Sequence, residues 1–358
     1  MPGRQAQLGA VDGLPPPEKK QLSVSSRTYS APCYSVAMRK RRLGRTGIEV
    51  SEIGYGAWGI GKQMWVGADD KESLRALNQA VDLGLNFIDT AMVYGDGHSE
   101  RLIGQFLKHR EERLFVASKI PPKNYRWPAS GSLEEVFPYE YIVKCAETSL
   151  QNLGLDTIDL LQLHVWNPSW AQDSQWQEAL SSLKEQGKIA HFGISINDHQ
   201  PDSALQLVET VQIDTVQVIY NIFEQTPEDK LLPLCLEKQV GVIARVPFDE
   251  GALTGSIGPK TKFPRKDWRN MYFKENRKEQ VHQRILKLSK LLGEEAETLP
   301  QLALKFCLHH PAVSTVIPGM RSVKHVKANL AVTKEPPLLP ETVEALRQHR
   351  WSKNFYPV

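Results

Sequence analysis

The chain has 358 residues, 41% hydrophobic and 24% charged, enough to bury the core of an ordinary globular protein of one or two domains. Its 44 basic and 41 acidic residues leave a formal net charge of +3, too balanced to attract nucleic acid or a membrane surface through long-range field, and no stretch approaches the about 20 apolar residues that span a bilayer. Cys33, Cys145, Cys235 and Cys307 lie far apart without paired spacing, which argues against a disulfide framework or a zinc or iron-sulfur cluster and fits a reducing, cytoplasmic setting.

Residues 1–37 carry Pro15-Pro16-Pro17 and Ser23, Ser25, Ser26, Ser30 and Ser35 with little apolar periodicity, and are expected to form a disordered extension ahead of one folded domain over 38–358. No apolar core follows basic residues there, so a secretory signal is not expected. The serines and Arg27 suit a transit peptide, Asp12 and Glu18 count against one, and Met38 is a second candidate start. The run Arg39-Lys40-Arg41-Arg42 reads as a solvated strand edge, with a targeting or phosphate-binding patch as the alternative.

From Ser51 onward short apolar runs alternate with amphipathic segments. Strands are predicted at 53–56, 86–90, 114–119, 158–164, 190–196, 215–220, 241–246 and 313–318. Helices are predicted between them, among others at 71–83, with Leu74, Leu77 and Val81 on one face, at 141–153 and at 176–186, with stops at Gly84, Gly154 and Gly187. Eight strands, each followed by a helix, is the count of an α/β (β/α)8 TIM barrel, and one such barrel fits better than two domains. The competitor is a doubly wound sheet, because Gly54, Gly56 and Gly59 spell a dinucleotide fingerprint. That fingerprint requires a helix opening at the glycines, whereas here the chain runs on through Gly61 to Gly67 and the helical pattern starts only near Asp70.

In a barrel, functional groups collect at the C-terminal strand ends. The second strand ends in Asp89 with Tyr94 in the following loop, the third ends in Lys119 and the fourth in His164. Each alone has an ordinary structural reading: a cap, a lysine reaching solvent, a hydrogen-bonded core histidine. Together they form a proton-delivery device. An unperturbed tyrosine titrates near about pH 10; a neighbouring ammonium from Lys119 would lower that value, Asp89 would orient the lysine, and His164 would position a carbonyl oxygen. Such a donor serves an alkoxide that forms as hydride reaches a carbonyl carbon, which calls for a nicotinamide carrier.

The run Asp89-Thr90-Ala91-Met92-Val93-Tyr94-Gly95, continuing to Ser99-Glu100, resembles the signature of the aldo-keto reductases. The resemblance extends from Arg42-Leu43-Gly44-Arg45-Thr46-Gly47 to Val316-Ile317-Pro318-Gly319 and Asn329, and is similar to a bacterial-type branch. It implies NADPH/NADP+ as cofactor and a small-molecule carbonyl substrate, with Tyr94, Asp89, Lys119 and His164 in the family's four catalytic roles. It further implies Gly56, Ala57 and Trp58 near the nicotinamide ribose, Ser195, Asn197 and Gln217 on the carboxamide, and Arg245 in place of an aromatic residue stacked on the nicotinamide. By the same resemblance the segment from Leu253 to Gly255 is expected to begin a pyrophosphate strap, Arg321 to meet the 2′-phosphate and Asn329 the adenine. Ser195 is followed by Ile196 before Asn197, one residue away from the family's Ser-Asn pair.

Trp58, Trp127 and Trp166 are expected in loops around the substrate, with Trp351, Phe355 and Tyr356 in a tail that closes the mouth. The same tryptophans have a packing role as their alternative reading. Cys307-Leu308-His309-His310 offers no metal site, because neighbouring helical histidines diverge and no partner stands at ligand spacing. The Tyr-x-x-x-Lys pair of short-chain dehydrogenases is absent, Tyr139 and Tyr141 both standing at other distances from Lys144. A carbonyl reductase is therefore the leading expectation, as a monomer or small homo-oligomer. An NADPH-binding redox-sensing regulatory subunit and a polyol or sugar dehydrogenase are the alternatives with the same site.

Overall fold

The computed structural model describes residues 38–356 apart from 63 and 211, so the expectation for residues 1–37 lies outside the described residues. Among the described residues ten strands occur: β1 Lys40–Arg42, β2 Glu49–Ser51, β3 Tyr55–Gly56, β4 Phe87–Asp89, β5 Phe115–Ile120, β6 Ile158–Leu163, β7 Ile189–Ser195, β8 Thr215–Ile219, β9 Gly241–Arg245 and β10 Val313–Val316. β3 to β10 pair in parallel in unbroken sequence order, and parallel bridges from Ile53 to Val316 and from Gly56 to Gly319 join the two ends of the sheet. The result is the eight-stranded barrel that the alternation of elements implied.

A helix follows each barrel strand: Asp70–Asp82, His98–Leu107, Tyr139–Leu153, Gln175–Glu185, Leu205–Glu209, Leu231–Lys238, Leu299–His309 and Val323–Ala331. Their termini follow local chemistry. Asp69 accepts the Glu72 amide at the start of the first helix, and Gly154 ends the third in a left-handed conformation (φ 66°). Among the described residues no helix is long and apolar enough to cross a membrane.

The chain divides its apolar groups between two cores. One packs the helices on the outside of the sheet. The other lies within the barrel, where Phe87, Ala117, Leu160, Ile243 and Ile317 meet Leu43 and Val50 from the β1–β2 hairpin. Leu43 and Val50 are fully buried and stabilise by roughly 2 kcal/mol each. The hairpin thereby closes the end of the barrel opposite the strand C-termini. Of the basic run, Arg39 and Arg41 grip the two oxygens of Glu52 at 2.7 Å each, which fixes the strand edge.

Candidate active site

Side chains alternate across a strand, so the inward parity set by Phe87, Ala117, Leu160 and Ile243 carries on to Asp89, Lys119, Gln162, His164 and Arg245 at the C-terminal ends. Lys119 is fully buried. Its Nζ donates to Asp89 Oδ2 at 2.7 Å and to the Thr90 carbonyl at 2.7 Å, and it lies 3.5 Å from the Tyr94 hydroxyl. Gln217 Nε2 donates to the other Asp89 oxygen at 2.7 Å, so the carboxylate is held from both sides.

Tyr94 stands in a loop fixed by its neighbours. Ser99 bonds Thr90 and the Ala57 carbonyl, and Glu100 accepts from Ser118 and Asn152. Gly95 takes φ 68°, and a Cβ there would come within 2.0 Å of the Gly61 carbonyl oxygen, so the close contact between the first two barrel loops requires glycine. The signature residues beyond Asp89 and Tyr94 thus place the tyrosine.

Burial pushes the Tyr94 phenol above its ordinary value, Asp89 adds to the rise and Arg245 opposes it. Burial also pushes Lys119 down, against the pull of Asp89. In the resting site desolvation is the largest influence on the phenol, and the Lys119 ammonium is directed chiefly to Asp89 and the Thr90 carbonyl. His164 is held well below the usual histidine value by burial, then by Lys119 and Arg245, and is neutral. Its Nδ1 is buried without a partner, and its ring meets Tyr94 edge-on at 5.7 Å and Trp127 at 4.8 Å.

Trp58 bridges outward, 6.2 Å from Tyr94 and 6.0 Å from Trp268 between ring centres. Ala57 is buried with its amide on the Asp89 carbonyl, and Gly56 pairs with Asp89 and Gly319. Trp127 is part-exposed at the mouth. Trp166 is not there: it is fully buried between Trp170 and Trp176, which corrects its assignment to the substrate wall. Asn197 is likewise engaged elsewhere. Its Oδ1 accepts from the Ala129 amide and its Nδ2 donates to the Trp166 carbonyl and Gln200, so it ties loops together instead of offering its amide to a ligand.

Ser195 and Gln217 are adjacent in the β7–β8 register, and Arg245 donates to the Ile196 carbonyl and to Asp198 at 2.7 Å, its Nε buried without a partner. Leu253 is buried and Gly255 turns left-handed at φ 75° after it. Arg321 packs across Gly59 and against Trp65, with Nη1 on the Val66 carbonyl, immediately ahead of the helix capped by Ser322. Burial, then Arg269, oppose its charge, so an anion there would be stabilised. Asn329 is buried on the same helix. Sequence reasoning missed Trp268, Glu250 and Asp198. The acid pair Asp249-Glu250, a few residues after the end of an inward-facing strand, was the signal available.

Comparisons with known proteins bear on the family and the fold. Residues 52–350 match the model of the Aldo/keto reductase family. An uncharacterized oxidoreductase of Bacillus subtilis is 30% identical, covering 87% of this chain and 96% of its own. The NADH-specific methylglyoxal reductase of Escherichia coli is 29% identical over 87% of this chain and 100% of its own. Among solved structures, the glycerol dehydrogenase of Gluconobacter oxydans superposes with a TM-score of 0.72 at 27% identity, over 89% of this chain and 97% of that one. A parallel eight-stranded barrel with this loop signature and this match across most of its length makes the chain a member of the aldo-keto reductase family, oxidoreductases of carbonyl or alcohol groups.

Proposed function

We propose that the protein reduces an aldehyde or ketone to the alcohol with NADPH, reversibly, and that Tyr94 is its proton donor. The observation that carries this reading is the buried Lys119 ammonium held among Asp89, the Thr90 carbonyl and the Tyr94 hydroxyl, beside a neutral His164 whose Nδ1 has no partner. The residues also suit a dinucleotide. Arg321 stands before a helix N-terminus with its charge under-compensated, a seat for the 2′-phosphate, with Asn329 toward the adenine. Ser195 and Gln217 would hold the carboxamide, Arg245 would lie against the nicotinamide, Gly56, Ala57 and Trp58 would border its ribose, and the loop through Leu253 and Gly255 would cover the pyrophosphate.

Bound NADPH supplies the hydride. His164 hydrogen-bonds the substrate oxygen and orients the carbonyl between Trp58 and Trp127. Tyr94 passes its hydroxyl proton to that oxygen as negative charge develops there, and Lys119 stabilises the phenolate that remains. Asp89 and Gln217 keep Lys119 in place. In oxidation the same phenolate accepts the proton. A second reading, oxidation of a polyol, is favoured by the likeness to a glycerol dehydrogenase.

The test is NADPH consumption with aliphatic and aromatic aldehydes, wild type against Tyr94→Phe. We expect turnover by wild type and a loss of at least about a hundredfold in the variant, with NADPH binding retained. Tight NADPH binding without turnover of any carbonyl or polyol would instead favour a regulatory, cofactor-sensing protein. If 2′,5′-ADP competes no better than AMP, the preference for NADPH is wrong.

A further inference from the structure

The loop after β9 opens in an unusual backbone. Val246, Asp249 and Glu250 all have φ between 47° and 56°, a left-handed conformation rare for side-chain-bearing residues. Such conformations persist where surrounding contacts over-determine them. Asp249 is anchored by the Tyr272 hydroxyl at 2.5 Å and by Arg277 at 2.8 Å, all three buried. Glu250 has a different anchor, 106 residues further along the chain: the Tyr356 hydroxyl donates to its Oε1 at 2.6 Å.

Tyr356 is the last described residue, and its ring is held on three sides. It stacks on Trp268 (5.4 Å, 26°), meets Tyr272 at 4.8 Å and lies 6.0 Å from His199. Trp268 in turn meets Trp58, and Trp58 meets Tyr94, so an unbroken row of rings runs from the tail to the catalytic tyrosine. The rest of the tail is fixed beneath: Trp351 donates its amide to the Phe223 carbonyl, and Phe355 lies 3.2 Å from the Arg277 guanidinium.

We infer that Tyr356 and Glu250 form a proton-sensitive latch, which joins the C-terminal tail to the loop after β9 and closes the mouth above Tyr94. Glu250 is buried and Tyr356 half-buried against it, so the state of the carboxyl decides the strength of the latch. Burial pushes Glu250 up to about 7, with Asp249 and Asp198 adding to the rise and the Tyr356 bond opposing it. The charged and titratable neighbours are Asp198 and His199 from the loop after β7, Arg245 at the end of β9, Asp249 beside it, Tyr272, Arg277 and Tyr94. Neither guanidinium bonds Glu250: Arg245 is engaged by Asp198 and Arg277 by Asp249. His199 is engaged by Glu224.

The sign follows from the raised value. When the tail is away, water returns to Glu250 and its pKa falls toward the ordinary carboxyl range. The closed form therefore holds the extra proton. It is favoured fully in acid, loosens as pH rises from the ordinary carboxyl value toward about 7, and levels off above that. The latch rests on contacts within this chain and not on the reductase reading; only its effect on cofactor exchange rests on that reading.

Fluorine NMR of the intact chain carrying fluorotryptophan tests the latch without cofactor, with Trp268→Phe identifying the Trp268 signal. In wild type that signal should move between about pH 5 and about pH 8 as the stacked Tyr356 leaves. Glu250→Gln should hold it at the acid position throughout, because the amide oxygen still accepts and never ionises. Tyr356→Phe, which keeps the ring and removes only the hydroxyl, should hold it at the alkaline position. A signal indifferent to pH in wild type overturns the inference, as does a response that survives Glu250→Gln. In stopped-flow measurements at about pH 6, Tyr356→Phe should release NADPH at least about tenfold faster than wild type. If NADPH does not bind at all, the reductase reading fails while the fluorine result stands on its own.

Discussion

Lys119→Met offers a sharp test of how the centre is held together. In wild type Lys119 is fully buried, Asp89 is only 3% exposed, and their 2.7 Å contact is shared with Gln217 on the far oxygen. Methionine keeps the volume but leaves the carboxylate in the barrel with one neutral amide donor. Removing one partner of a buried pair costs about 3–5 kcal/mol, mostly as the cost of the uncompensated charge. In a domain of this size that lowers Tm by roughly 4–7 °C. Adding Asp89→Asn removes the stranded charge, so the double variant should recover about 2 kcal/mol or more although both variants are inactive. Denaturant midpoints and calorimetry on the four proteins measure the coupling. A single variant within about 1 kcal/mol of wild type, or a double variant less stable than the single, would refute the ion pair as the organising contact.

Arg321→Ala should weaken NADPH binding by about 10–100-fold while NADH changes little, since charge-assisted hydrogen bonds are worth about 1.5–3 kcal/mol; fluorescence titration with both nucleotides decides it. His164 is neutral because its pKa is pushed far down, so kcat should show no ionisation near about pH 6.5 that His164→Gln abolishes. Trp166→Ala should cost about 3–5 kcal/mol of stability as a core cavity, whereas Trp127→Ala should leave Tm nearly unchanged and raise KM. Gln162→Met should be neutral or stabilising in chemical denaturation, because both amide atoms of Gln162 are buried without partners.

Strand ends were legible because apolar runs bounded by polar residues have one natural reading in a parallel sheet, and Asp89, Lys119 and His164 lie where that reading puts them. The β1–β2 hairpin was less so. Its three-residue strands are largely charged, and what secures them is Glu52, outside both strands. Trp166 misled because its position after a strand end suggests a loop at the mouth, yet the chain turns it into the aromatic cluster formed with Trp170 and Trp176. The rise in the Tyr94 pKa could not be read from neighbour identity, since burial is its largest cause. Nor could the Tyr356 contact to Glu250, which depends on tertiary folding alone.

The hairpin that seals the barrel floor also sorts the two ends of the chain. Lys40 begins on the floor, with Gly44 pressed against the first residues of β9, while Tyr356 lies in the ring of side chains around the mouth. The first described strand therefore begins on the side of the barrel remote from Tyr94. A group attached close after Tyr356 lies beside the contacts that hold its ring. Purification handles, surface tethers and fluorescent partners kept away from Tyr356 leave these ring contacts intact, so that kinetics report on the native mouth.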